Sequence, residues 1–267
     1  MKILQLSDLH LVYPGKKAFR EADAYSDLKQ TVDYLLASPL QADYLVVTGD
    51  VSNDGTAESY ELALEQLKRL DLPMVLLPGN HDEKTVMQQV CGTDCHVELQ
   101  SAASGVRVQE FDEATLVFAD TAIPGKSSGK ISSRALQDIQ GILTKEQHKP
   151  VLLFMHHVPF KTGYRTMDEP FEGLEAFREI ISGHKNAQIC CGHIHTGMMT
   201  MVQGVPHITA PPVCMLMAMD YQPAVGNSFY TASPAFALHV VEEETVVTHF
   251  NQVPHGETCG GPFFFVE

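Results

Sequence analysis

The stretch Asp43-Tyr44-Leu45-Val46-Val47-Thr48-Gly49-Asp50 is a short apolar run that ends on a glycine and an acid. Runs of this length, closed by a turn signal, read as buried strands. Two more flank it in sequence. Lys2-Ile3-Leu4-Gln5-Leu6-Ser7 runs into Asp8-Leu9-His10, and Pro73-Met74-Val75-Leu76-Leu77 runs into Pro78-Gly79-Asn80-His81-Asp82. Between them, residues 22–37 and 57–70 carry apolar side chains at helical spacing. Strand, helix, strand, helix, strand predicts parallel strands joined by right-handed crossovers. In such sheets ligands bind beyond the carboxyl ends of the strands. Asp8, His10, Asp50, Asn80 and His81 all fall there.

The same alternation continues. Strands are predicted at 115–119, 151–155 and 187–191, with helices at 132–143 and 172–182. The second of these strands runs into His156-His157, and the third into Gly192-His193-Ile194-His195. Beyond them the chain turns β-rich. Residues 198–203 and 205–209 form one hairpin around Gly204, and 236–241 and 245–250 form another around Glu242-Glu243-Glu244. The Met-, Pro- and Ala-rich stretch between the hairpins reads as an irregular excursion. The expected organisation is a core at 1–210, an excursion at 211–234 that supplies an oligomer contact, and C-terminal strands at 235–267 that complete the core and end in a tail.

A length of 267 residues fits one large domain with at most a small appendage. Apolar residues make up 44% and charged residues 19%, a globular composition. There are 33 acidic residues against 18 basic ones, a net charge of −15, which opposes coating a nucleic-acid polymer. The N-terminus lacks the apolar stretch of a signal peptide. The longest apolar run, 211–219, is too short to span a membrane. A cytoplasmic location is therefore expected, with reduced thiols at positions 91, 95, 190, 191, 214 and 259. The spacing of Cys91 and Cys95 is not that of a zinc ribbon. Thirteen histidines are many for this length, and imidazole is a common transition-metal ligand.

Each strand-end motif is weak alone. Together they bring Asp8, His10, Asp50, Asn80, His156, His193 and His195 to one crevice. Seven oxygen and nitrogen donors exceed the needs of one tetrahedral ion, and a carboxylate can bridge two. The mixture of imidazole, carboxylate and amide suits Fe, Mn, Zn or Co and disfavours Ca or Mg. Two aspartates, two divalent ions and one hydroxide leave such a site at about +1, so it attracts an anion despite the acidic chain. That is the two-metal arrangement for phosphoester hydrolysis.

The series Asp8-x-His10, Gly49-Asp50, Gly79-Asn80-His81-Asp82, His156-His157, Gly192-His193-x-His195 resembles the calcineurin-like metallophosphoesterases over residues 8–195. Size and spacing are most similar to the bacterial class III cyclic nucleotide phosphodiesterase and glycerophosphodiesterase branch. The resemblance implies a four-layer α/β/β/α sandwich with a dinuclear site. It implies that Asp8, His10, Asp50 and His195 hold the first metal, that Asp50 bridges, and that Asn80, His156 and His193 complete the second. His81 would not bind metal; with Asn80 it would contact the substrate, stabilising the transition state or protonating the leaving oxygen. The implied reaction is attack of a metal-bound hydroxide on a small phosphodiester, such as 3′,5′-cAMP or a glycerophosphodiester. The alternative is a phosphomonoesterase or protein phosphatase using the same metals, but none of the few arginines lies in the motifs.

Other residues are secondary. His207 follows the first hairpin closely enough to face the site. Tyr164, with Arg165 and Asp168, is a further candidate for a pocket wall. His157 reads as structural or as a support behind the ligands. His96, His148, His184, His239, His249 and His255 read as surface or edge residues. The apolar run from Pro211 to Met219 and the Phe263-Phe264-Phe265 end are sticky for so acidic a chain, so a homodimer or higher oligomer is expected.

Overall fold

In a computed structural model, residues 1–92, 104–164, 166–218 and 228–254 are described. The first part forms β1 (Lys2–Leu6), α1 (Ala24–Ala37), β2 (Tyr44–Thr48), α2 (Ala57–Leu67), β3 (Met74–Leu77) and α3 (Lys84–Cys91). Next come β4 (Val106–Glu110), β5 (Thr115–Ala119), β6 (Gly129–Lys130), α4 (Ser133–Lys145), β7 (Val151–Phe154), β8 (Phe171–Glu172), α5 (Leu174–Ile181) and β9 (Ala187–Cys191). Among the described residues the last part contains strands alone: β10 (Met198–Val202), β11 (Val205–Thr209), β12 (Leu216–Met217), β13 (Phe229–Tyr230), β14 (Ala235–Glu242) and β15 (Thr245–Gln252).

Two sheets carry the fold. One has the order β15-β14-β1-β2-β3 and the other β10-β11-β9-β7-β5-β4. β1, β2 and β3 run parallel, as do β5, β7, β9 and β11. The outer strands are antiparallel. Alternate residues of each strand point to opposite faces, and the buried clusters follow that period. Leu4, Leu6, Leu45 and Val47 pack under α1, α2 and α3. Val151, Leu153, Ala187 and Ile189 pack under α4 and α5. Ile3, Tyr44, Val46, Leu152, Phe154 and Cys190 fill the space between the sheets. Three interlayer cores separate four layers, so the chain is an α/β/β/α sandwich.

Where element ends differ from the sequence reading, local chemistry explains it. α1 starts at Ala24 because the Asp23 carboxylate caps it, accepting from Ser26 N at 3.1 Å. The helix expected to reach 70 leaves α geometry after Leu67 and finishes as a 3₁₀ turn, Lys68–Leu70. The sequence reading passed over α3 and β4; both are short.

Two further expectations change. His239 is not a surface or edge residue but is fully buried between the sheets. The run from Pro211 to Met215 is buried within this chain, and only Leu216 after it is exposed. Its stickiness is therefore largely used internally. Met219, Phe263, Phe264, Phe265, Cys95, Cys259, His96, His255 and Arg165 lie outside the described residues. No helix among the described residues is long and apolar enough to cross a membrane.

Candidate metal centre

The parallel strands β1, β2, β3, β7 and β9 deliver their carboxyl ends to one edge of the sandwich. Asp8 and His10 follow β1, Asp50 follows β2, Asn80 and His81 follow β3, His156 follows β7, and His193 and His195 follow β9. The backbone there is unusual. Asp8, His10, Asp50, His193 and His195 have φ of 56°, 49°, 50°, 72° and 50°, in the left-handed region. Such conformations cost about 1–3 kcal/mol each for a non-glycine residue and cluster at functional sites. Glycines make room: a Cβ on Gly79 would strike the Asp50 carboxylate, and one on Gly49 would strike the His156 ring.

Two groups of donors result. Asp8, His10, Asp50 and His195 have ligand atoms within 4.8 Å of one another, and so do His156, His157 and His193. Asp50 joins them, because its Oδ2 lies 3.5 Å from both His10 Nε2 and His156 Nε2. Its other oxygen accepts the His81 backbone N–H at 2.9 Å. Asn80 Oδ1 stands 3.0 Å from His156 Nε2. All seven residues expected as ligands therefore meet at this edge.

The inner atoms fit cations. The carbonyl oxygens of Thr48 and Met215 lie 2.7 and 2.8 Å from Nδ1 of His156 and His195, so each Nδ1 carries the proton. That points each Nε2 inward, free to bind a cation when it carries no proton, an outer arrangement typical of metal-bound imidazole. His195 Nε2 faces His10 Nε2 at 3.0 Å and Asp8 Oδ1 at 3.6 Å. Acceptor faces acceptor, and only a proton or a metal ion relieves that. Burial pushes His156 toward neutrality, but the charges of Asp50 and Asp8 outweigh it and raise its pKa to about 9. His193 is driven the other way, to about 3, by burial and by His156.

Neighbours support the ligands, and of these only His157 is marked out by the sequence. Asn53 Oδ1 lies 3.0 Å from His10 Nδ1 and orients that ring. Asp82 is a half-buried hub that accepts from the N–H groups of Val51, Ser52 and Gly79 and from the Tyr60 hydroxyl. It locks the loop carrying Asp50 to the loop carrying Asn80. His157 stands beside the second cluster, its ring centroid 4.8 Å from both His156 and His193, with Nδ1 2.9 Å from Thr121 Oγ1.

Over this edge lies a cleft of about 310 Å³. His81 leans into it, its ring edge-on to His10 at 4.8 Å and to Phe19 at 5.8 Å. Phe19, Phe229, Met215 and Met217 form an apolar side; Ser127 and Glu169 face it, joined at 2.6–2.7 Å. His207 and Tyr164 are not on its walls. His207 turns Nδ1 to its own strand, 3.0 Å from the Val205 carbonyl, and meets Phe160. Tyr164 is buried among the residues under α4 and α5, and Asp168 braces the Thr162–Gly163 turn.

Comparison with known proteins follows the same lines. The model of the calcineurin-like phosphoesterase family matches residues 1–197. The chain is 29% identical over 269 residues to a probable glycerophosphodiester phosphodiesterase of Arcobacter nitrofigilis, covering 99% of this chain and 97% of that one. It is 27% identical over 217 residues to a 3′,5′-cyclic adenosine monophosphate phosphodiesterase of Vibrio vulnificus, covering 80% and 77%. Among solved structures, a purple acid phosphatase from yellow lupin aligns with a TM-score of 0.67 at 13% identity. That match covers 96% of this chain and 52% of the lupin chain, so this chain spans about half its length and the likeness speaks for the fold alone.

Asp50 is the one carboxylate standing between the two donor groups. Asp50→Ala is expected to lose both metal ions. Elemental analysis of the purified variant checks this, and two ions retained would rule out a bridging role.

Proposed function

The chain belongs to the calcineurin-like phosphoesterase family, and from that premise we propose that it is a dinuclear-metal-dependent phosphodiesterase for small diesters, such as a cyclic nucleotide or a glycerophosphodiester. The observation that carries this reading is the position of Asp50 Oδ2, 3.5 Å from an imidazole of each donor group. We assign Asp8, His10, Asp50 and His195 to the first ion and Asp50, Asn80, His156 and His193 to the second. The donor set suits Fe, Mn, Zn or Co. Two such ions would activate water and neutralise phosphate oxygens.

The chain's own groups do the rest. The Thr48 and Met215 carbonyls fix the His156 and His195 tautomers. Asp50 receives the His81 backbone N–H and so seats that residue at the floor of the cleft. His81 Nδ1 lies toward the Asn53 carbonyl at 3.5 Å, which leaves Nε2 for the substrate. We assign it the proton that the leaving oxygen needs, with Asn80 beside it as a substrate contact. The Phe19 ring stands edge-on to His10 and His81 on the cleft wall.

The charge of the walls favours a diester over a monoester. The described residues lining the cleft include no lysine or arginine, and Glu169 adds a negative charge. Lys84, the basic residue nearest Asn80 and His81 in sequence, is held by Asp120 at 2.6 Å and the Ala122 carbonyl at 2.7 Å. A dianionic monoester generally requires cationic clamps. Four described cysteines, 91, 190, 191 and 214, are buried thiols, which fits a reducing, cytoplasmic location. We retain the proposal of a homodimer or higher assembly on different ground. Met199, Met201, Val247 and Phe250 are exposed on the outermost strands, β10 and β15.

Three measurements test this reading. With Mn²⁺, catalytic efficiency for bis(p-nitrophenyl) phosphate should exceed that for p-nitrophenyl phosphate at least ~10-fold, about 1.4 kcal/mol in barrier. Preference for the monoester would hand the site to the phosphatase reading. His81→Ala should lower kcat by ~10²–10⁴ with metal content unchanged, and less for nitrophenyl than for alkyl leaving groups. An equal deficit for both would assign His81 to charge stabilisation instead. Light scattering at micromolar concentration should give more than the 29.4 kDa of one chain; a monomer would end the assembly proposal.

A further inference from the structure

The polar groups buried between the two sheets form a chain of hydrogen bonds with a readable direction, ending at the half-buried Thr248. Gln5 and His239 are both fully buried there. Gln5 Nε2 donates to Thr48 Oγ1 at 2.9 Å and to the Cys191 carbonyl at 3.0 Å. A backbone carbonyl only accepts, so this end of the amide must be the nitrogen. Gln5 Oε1 then faces His239 Nε2 at 3.0 Å, and the ring must donate. His239 Nδ1 is left to accept from the Thr248 hydroxyl at 2.9 Å, whose oxygen accepts from Gln188 Nε2 at 2.9 Å. Burial holds the ring neutral, with its pKa lowered to about 3, the form that can donate and accept at once.

The Gln5 amide reaches the parts that carry the candidate ligands. Gln5 itself lies on β1, three residues before Asp8. Thr48 ends β2, two residues before Asp50, and its own carbonyl holds His156 Nδ1. Cys191 ends β9, two residues before His193 and four before His195. β1 and β2 belong to one sheet and β9 to the other. One amide thus ties both sheets together directly beneath the metal ligands, and His239, 234 residues away on β14, fixes how that amide points.

We propose that His239, acting through Gln5, is a positioning residue for the metal centre, so that the C-terminal hairpin β14–β15 sets metal affinity as well as completing a sheet. This rests on the reading of Asp8, Asp50, His193 and His195 as ligands. A hydrophobic side chain at 239 would still fill the space, but it would leave the Gln5 oxygen without a donor and free the amide to turn. The spacing of the two sheets under the ligands would then be less well defined. The same residues carry no catalytic contact of their own, since neither Gln5 nor His239 lines the cleft.

The test is calorimetric titration of metal-free, full-length protein with Mn²⁺. The panel is wild type, His239→Leu, Gln5→Leu, the double variant, and Val241→Ala as a control buried in the same intersheet layer on the same strand. Because neither residue bonds to a ligand itself, each of the two single network variants should weaken Mn²⁺ binding several-fold, less than the ~10–100-fold expected on losing a group bonded directly to a metal ligand. The double variant should be little worse than the poorer single, because the two act as one unit. Val241→Ala should lower the thermal midpoint yet bind within about twofold of wild type, as expected of a change that touches packing alone. Wild-type affinity in His239→Leu, or an equal loss in Val241→Ala, overturns the proposal. Should His239→Leu fail to fold, Thr248→Val removes only the hydroxyl that feeds the ring. It should weaken binding several-fold, and unchanged binding overturns the proposal as well. A wild-type protein that takes up no Mn²⁺ overturns the metal reading and this inference together; normal wild-type uptake with unaffected variants overturns this inference alone.

Discussion

Hydrogen-bond acceptors crowd the edge of this sandwich. His10 and His195 bring their Nε2 atoms to 3.0 Å, His156 meets Asn80 Oδ1 at the same distance, and two aspartates stand within 3.6 Å of these rings. An isolated chain would not gather such groups, because each prefers water. The fold gathers them by fixing the protons on the far side. Thr48 and Met215 hold the outer nitrogens through their carbonyls, and neither carbonyl can reverse its polarity. The rest of the structure supports this crowding. The left-handed backbone of Asp8, His10, Asp50, His193 and His195 costs about 1–3 kcal/mol apiece. The glycines that precede the ligands permit the approach, and the half-buried Asp82 carboxylate pins the loops in place. A bound cation that interacts with the folded chain alone adds stability by mass action. The strain is therefore relieved by the same species that the site serves.

Much of this architecture could be read in advance, for a specific reason. A strand buried on both faces is a run of apolar residues, and a ligand at its end follows immediately, as in Val46-Val47-Thr48-Gly49-Asp50. Ligand and strand share one short window, so local pattern suffices. The same holds for Gly192-His193-Ile194-His195. What escaped the reading depends on contacts between distant windows. His239 lies in an otherwise apolar run, Ala235–Val241, that marks a buried strand, but nothing nearby shows that the ring meets Gln5. Asp82 has the composition of a turn former and serves as a hub only because two loops converge on it. Asn53 lies three residues past Asp50 with no periodic or motif signal at all. His207 was placed near the site by its position after a hairpin, yet the alternation of β11 turns it toward Phe160.

The cleft walls show the same limit more sharply. Phe19 comes from the loop after β1, Ser127 from the approach to β6, Glu169 from the turn before β8, and Met217 and Phe229 from β12 and β13. No two of these segments need each other for the chemistry at the strand ends. The sandwich positions the metal ligands through strand geometry and backbone carbonyls. Its loops are free to vary charge and shape above them. Side chains above the ligands can therefore change while the strand-end positions stay fixed, even where Phe19 meets the His10 ring and the Met217 N–H donates to the His195 carbonyl.

That separation has one exception, and it lies at the C-terminus. β14 joins the first sheet by pairing with β1 from Lys2 to Gln5, and β15 pairs in turn with β14. A hairpin added at an edge would ordinarily be a passive extension. Here the strand beside β1 is the one that carries His239 into the space between the sheets, where a neutral imidazole is the group able to donate to Gln5 while accepting from Thr248. A polar chain buried this deeply is stabilising only when every member is satisfied, since one unpaired group costs more than an apolar replacement would. Its presence beneath the ligands, where apolar packing would have served stability as well, argues that orientation is what it supplies. On the proposal for His239, the last described strands support the site, although the motifs that announce the chemistry end at His195.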